Sequence, residues 1–141
     1  MERKEFLSLL GLSTAGIFTA TCLGSCSKQS ASQGVTAAPT GVDFTIDLSR
    51  PANANLVTNG GYIYSNGIIV ARTTSGTYVA VSQACTHEGV SVQYVSSQDL
   101  FYCPSHGAKF SGNGAVISGP TAAALTQYNT SLNGTSLRVY S

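Results

Sequence analysis

Between residues 42 and 141, apolar and polar positions alternate in short runs separated by turn residues. Alternation with a period of two turns one face of a strand toward a core and the other toward water. VDFTIDL at 42–48 follows this pattern. GYIYS at 61–65 and GIIVAR at 67–72 flank Asn66-Gly67, a dipeptide suited to two-residue hairpins because both positions tolerate positive φ. TYVAVS at 77–82 follows a Ser75-Gly76 turn. VSVQYV at 90–95 and DLFYC at 99–103 are joined by Ser96, Ser97 and Gln98, and LTQYN at 125–129 and TSLRVY at 135–140 flank Asn133-Gly134. No segment of 42–141 carries a helical period, although TAAAL at 121–125 is compatible with one turn, and no internal repeat stands out. The pattern predicts an all-β domain, an antiparallel β-sandwich or small barrel.

The first 41 residues differ. Arg3 and Lys4 precede a run from Phe6 to Ser27 that holds no charge. A charged start, an apolar middle and small residues near a break describe an export signal. Leu23-Gly24-Ser25-Cys26 resembles the bacterial lipobox, which makes Cys26 the expected lipidated N-terminus of the processed chain. Cys22 matches less well, because Thr19 and Thr21 stand where that motif wants an aliphatic and a small residue. An uncleaved membrane anchor is the other reading, since 22 uncharged residues suffice to span a bilayer. Arg3-Lys4-Glu5-Phe6-Leu7 also resembles a twin-arginine export signal with Lys in the second place. Residues 27–41, SKQSASQGVTAAPTG, have little to bury and read as a flexible tether with a reach of roughly 20 Å. The expected organisation is a signal peptide at 1–25, the lipidated Cys26 and tether at 26–41, and one domain at 42–141.

Composition narrows the function. Charged residues make up 9% of the 141, against about 25% in ordinary soluble domains. Seven Lys and Arg against six Asp and Glu leave a formal charge of +1 with no basic stripe, which argues against nucleic-acid binding.

The chemistry concentrates in four residues. Cys85-Thr86-His87 is followed, after 15 residues, by Cys103-Pro104-Ser105-His106, and these are the only histidines of the chain. Each loop thus offers one soft sulfur and one nitrogen. Gly89, Gly107, Gly112 and Gly114 allow tight turns around a bulky group. Three other readings exist. A Cys85–Cys103 disulfide suits an exported protein but leaves both histidines unexplained. Structural zinc accepts Cys₂His₂, yet its ligands usually come as a Cys pair and a His pair rather than two mixed pairs. A Cys–His hydrolase would leave the second pair idle.

CTHEG at 85–89 and CPSHGAKF at 103–110 closely resemble the two boxes of the Rieske iron–sulfur family, in order, spacing and the His-Gly step of the second box. Gly119-Pro120 is similar to the proline loop that covers the cluster there. The resemblance spans about residues 42–141. It implies a Rieske-type fold with a small cluster-binding subdomain of two loops, and one [2Fe–2S] cluster per chain. Cys85 and Cys103 would hold the inner iron, and His87 and His106 the outer, solvent-facing one. Two thiolates with neutral histidines leave the oxidised centre neutral, so an electron enters more easily than at a four-cysteine site.

The departures are specific. Quinol-oxidising members carry an extra Cys in each box, joined as a disulfide; Val90 and Ser105 stand there instead. Ala108 and Phe110 replace a Ser and a Tyr whose hydroxyls bond to cluster sulfur and raise the potential. A midpoint in the lower half of the Rieske range, below about +100 mV, is therefore expected. Glu88 and Lys109 read as solvated loop charges, the strand tyrosines as packing, and Phe110 as core beneath the loops.

The expected function is one-electron transfer by a membrane-tethered protein of the bacterial cell envelope, exported by a twin-arginine type route and facing the periplasm. It is an electron carrier or an oxidoreductase subunit with no substrate pocket of its own, serving redox protein partners or a quinol-oxidising complex. A subunit of a quinol-oxidising or molybdenum oxidoreductase complex and a non-redox structural-metal or adaptor module are the alternatives.

Overall fold

A computed structural model describes residues 37–141. The expected signal peptide, Cys22, Cys26 and the tether as far as residue 36 lie outside the described residues.

Among the described residues, ten strands form two antiparallel sheets. The larger sheet takes β1 (Asp43–Asp47), β2 (Tyr62–Ser65), β3 (Ile68–Arg72), β4 (Tyr78–Ser82), β9 (Gln127–Asn133) and β10 (Ser136–Tyr140), in the order β1-β10-β9-β4-β3-β2. The smaller sheet holds β5 (Gln93–Val95), β6 (Leu100–Tyr102), β7 (Lys109–Ser111) and β8 (Val116–Ser118) in sequence order. It is an insertion between β4 and β9, which pair through Ala80 with Tyr128 and Val81 with Gln127. The chain thus leaves the large sheet at Ser82, builds the small sheet and its loops, and returns at Gln127. The all-β, antiparallel expectation holds.

The run IIVA in β3 is buried on both faces, and the reason is tertiary. Ile68 and Val70 enter a core with Ile46, Leu56, Ala80, Tyr128, Leu137 and Val139. Ile69 and Ala71 face the other way, into a core with Val81, Val92, Phe101, Phe110 and Leu125. One strand with period-two side chains therefore serves two cores.

The turns follow local chemistry, with corrections. Asn66 and Gly67 have φ of 54° and 76°, as a type I′ hairpin requires, and Ser65 pairs with Ile68 across them. In the last hairpin the register shifts by one. Asn133 pairs with Ser136, so the turn is Gly134-Thr135 rather than Asn133-Gly134. Pro51–Leu56 forms a 3₁₀ helix that the periodicity does not reveal, since so short an element shows no helical period; it buries Leu56. Residues 121–125 form no helical turn. Only 93–95 of the expected strand 90–95 belong to β5, with Ser91 making an isolated bridge to Ala84. The strands β7 and β8 carry too few residues to show an alternation.

Part of the expected tether packs on the domain. The Tyr128 hydroxyl donates to the Pro39 carbonyl at 2.7 Å, and Ala37–Pro39 line a cleft with Gly67, Gln83, Ala84 and Gly89. Gln83 N–H donates to the Gly67 carbonyl at 2.9 Å. The chain therefore meets the large sheet at the end from which the inserted subdomain springs.

Candidate metal centre

The two Cys–His boxes form loops with the same internal bonding. Cys85 N–H donates to the Val90 carbonyl and Gly89 N–H to the Cys85 carbonyl, each at 2.8 Å. Cys103 N–H donates to the Ala108 carbonyl at 2.8 Å, and Gly107 N–H to the Cys103 carbonyl at 3.0 Å. Gly89 and Gly107 close the loops at φ of 72° and 75°. The boxes are thus a structural repeat that the sequence does not announce, because the histidine stands two places after one cysteine and three after the other.

The two loops bury both cysteines, which neighbour each other, and expose both histidines, whose rings are adjacent. Cys85 and Cys103 are 0% and 1% exposed, and both are free thiols. Burial pushes the Cys85 thiol above the usual cysteine range; backbone bonding at His87 opposes this, and the neighbouring Cys103 adds to it. Two thiols held this way become thiolates when a metal takes the place of their protons. The imidazoles of His87 and His106 lie toward solvent, with side chains 33% and 46% exposed. Their ring centroids are 4.9 Å apart, with planes at 90°.

A third loop braces the first two. Gly119 has φ of 117°, and a Cβ there would stand 2.5 Å from Ala108 Cα, so only glycine permits this approach to the second box. The Thr86 hydroxyl lies 3.0 Å from the Thr121 hydroxyl and donates to the Ala123 carbonyl at 2.7 Å, tying the first box to the same loop. The loop that carries Gly119-Pro120 therefore packs against both boxes. Gly114 and Gly112 do not: Gly114 lies in the β7–β8 turn, where its carbonyl accepts from Leu125 N–H at 2.9 Å. Phe110 is core, as expected, and Ala108 is buried at the base of the second loop.

Glu88 is an exposed loop residue, 43% exposed, with contacts the sequence does not announce. Its Oε2 is 3.2 Å from His106 Nδ1, and its Oε1 is 4.0 Å from His87 Nδ1. Ser105 Oγ donates to Oε2 at 2.9 Å, so Glu88 and Ser105 join the two loops. Thr86, Thr121 and Ser105 carried no signal in the sequence, because each acts through a residue distant along the chain.

Residues 49–129 match the family of the Rieske [2Fe-2S] domain. The chain belongs to that family. Its Rieske domain is similar to the cytochrome b6-f complex iron-sulfur subunit of Chlorobaculum thiosulfatiphilum, with 38% identity over 69 residues, 49% of this chain and 38% of that protein. The subunit of the same description from Synechococcus sp. (strain JA-3-3Ab) is 26% identical over 98% of this chain and 86% of that protein. The match spans less than two-fifths of the first two curated relatives' own length. Among solved structures, the cyanobacterial plasma membrane Rieske protein PetC3 from Synechocystis PCC 6803 is 32% identical. It covers 62% of this chain and 93% of that one, with a TM-score of 0.53. The fold is shared with the ferredoxin of carbazole 1,9a-dioxygenase from Nocardioides aromaticivorans IC177, at 21% identity and a TM-score of 0.51.

The Rieske domain binds a [2Fe–2S] cluster, and its donors fit that group. Two buried free thiols suit an inner iron, and two solvent-facing imidazoles suit an outer one.

Proposed function

We propose that this chain is a one-electron carrier of a bacterial envelope membrane, with Cys85 and Cys103 holding the inner iron and His87 and His106 the outer one. The observation that carries the assignment is that the same two loops hold two free, buried thiols and two adjacent, exposed imidazoles. When bound, the cluster takes up and returns one electron. The chain's own part is to exclude water from the thiolates, present the imidazole edges to a partner, and hold the three loops in register.

A cytochrome b6-f-like, quinol-oxidising partner is supported by the description of the relatives. A lower-potential carrier is supported by Val90 and Ser105 at the disulfide positions, and by Ala108 and Phe110, which offer no hydroxyl to cluster sulfur. We favour the second reading, with a midpoint below about +100 mV. Anchoring through a lipid on Cys26 agrees with Ala37–Pro39 meeting the domain beside the first box. Ten further residues, 27–36, reach at most about 36 Å from such an anchor.

Iron and sulfide analysis of protein matured in its bacterial host, with EPR of the reduced state, tests the assignment. Two irons per chain and a Rieske signal are expected, lost in Cys85→Ser, Cys103→Ser, His87→Ala and His106→Ala. A full-strength native signal in either cysteine variant overturns it. Intact mass of membrane-extracted protein tests the anchor, and a chain that still begins at Met1 without lipid refutes it.

A further inference from the structure

The two boxes are braced differently at their bases. The third loop meets the base of the second box at Ala108, through Gly119. The base of the first box is a short ladder. Ala84 bridges Ser91, Val92 N–H donates to the Gln83 carbonyl at 2.9 Å, and Gln83 Nε2 donates to Ser91 Oγ at 2.8 Å. Ala37, Ala38 and Pro39 line one cleft with Gln83, Ala84 and Ser91, at the foot of that ladder.

This N-terminal segment is pinned. Tyr128 is 3% exposed, and its hydroxyl has the Pro39 carbonyl, at 2.7 Å, as its one partner among the described residues. Pro39 Cγ lies against Gly67, 3.0 Å from where a Cβ would stand. The Gly67 carbonyl in turn accepts from Gln83 N–H at 2.9 Å, so contact runs from Pro39 through Gly67 to the start of the ladder. Further along, Val42 N–H donates to Ser141 Oγ at 3.0 Å, and Ser141 N–H to the Val42 carbonyl at 2.9 Å.

We propose that Ala37–Pro39 are a latched strap that positions the first box, with the Tyr128 hydroxyl as the latch. When the strap leaves, a buried hydroxyl loses its acceptor and the Gly67 turn loses the proline ring packed on it. Gln83, held by that turn, then loosens, and the first box opens from its base. The second box, braced through Gly119, keeps its bonds. Displacement of the chain that leads from the expected anchor therefore acts on the first box before the second. Tyr128 and Pro39 are positioning residues, separate from the four candidate ligands.

The test is hydrogen exchange of the full-length holo-protein, read by mass spectrometry, with iron release to a chelator measured beside it. The iron readout rests on the ligand assignment, and the exchange readout does not. Tyr128→Phe removes the hydroxyl and keeps the ring. It is expected to speed exchange in 37–42 and in 83–92 by about twofold to tenfold, with 103–111 at the wild-type rate. Iron release should quicken by a similar factor. Pro39→Gly removes the ring from Gly67 and frees the strap backbone, so a larger effect with the same pattern is expected. Tyr78→Phe is the control. Its hydroxyl donates to the Leu56 carbonyl at 3.1 Å beside the same outer core, so a general loss of stability would appear there too. It is expected to leave 83–92 unchanged.

Faster exchange confined to 37–42, an equal rise in 83–92 and 103–111, or the same rise in Tyr78→Phe overturns the proposal. If Tyr128→Phe does not fold, Pro39→Gly decides it. Wild-type protein without iron overturns the ligand assignment instead, a failure visible before any variant is made, and the exchange comparison still tests the strap.

Discussion

The two sheets are held together by different means. Strands of the larger sheet run four to seven residues, and its outer core is filled by Ile46, Leu56, Ile68, Val70, Leu137 and Val139. Each strand of the smaller sheet has three residues, too few to form a stable sheet alone. It lies instead against Ile69, Ala71 and Val81 of the larger sheet, and its core includes the two cysteines. The larger sheet has one core of its own, on the face of Ile68 and Val70, and shares the other with the insertion. The smaller one depends on that scaffold and on the third loop, and under the proposed ligand assignment a bound cluster would join its two boxes.

This contrast is sharpest when the metal is removed. Cys103→Ser is expected to lose the cluster and to accelerate hydrogen exchange in 84–92, 103–108 and 119–125, while β1 and β10 keep their protection. Equal loss of protection in β1 and β10 would mean that the two regions unfold as one unit. The opposite change, Leu137→Ala, empties part of the outer core and is expected to cost about 2–5 kcal/mol in denaturant unfolding. Its midpoint potential and EPR signal should stay as in wild type, and a shifted signal would show that the scaffold's outer core reaches the metal centre.

Smaller effects probe the bracing of the loops. Gly119→Ala places a Cβ against Ala108 and forces a non-glycine residue to positive φ, at about 1–3 kcal/mol. Thr86→Val removes the bonds to Thr121 and Ala123, worth about 1 kcal/mol each. Both variants are expected to lose iron faster to a chelator, Gly119→Ala more so, with the unfolding midpoint of the larger sheet little changed. Iron loss at the wild-type rate in both would show that the third loop does not protect the centre.

The hairpin at Asn66-Gly67 was legible because positive φ at two adjacent positions is a local demand that few residues meet. The strand at 67–72 was legible as a strand, but not as one buried on both sides. That burial comes from an insertion folding back over it. The two Cys–His pairs were legible from spacing, and the resemblance to the Rieske family supplied their expected role as ligands. Glu88 is exposed, as a loop charge is expected to be, but its bond from Ser105 was not legible, because that partner is 17 residues away.

The sequence by itself determined the Asn66-Gly67 turn and the all-β character, and it marked out the two Cys–His pairs, because each depends on residues that are close along the chain or chemically scarce. Tertiary structure alone decided the docking of Ala37–Pro39 and the bracing of Thr86 by a loop 35 to 37 residues away. Those contacts have no local signature. Threonine, serine and glycine are common in any turn, and what distinguishes these particular ones is the neighbour that folding brings to them.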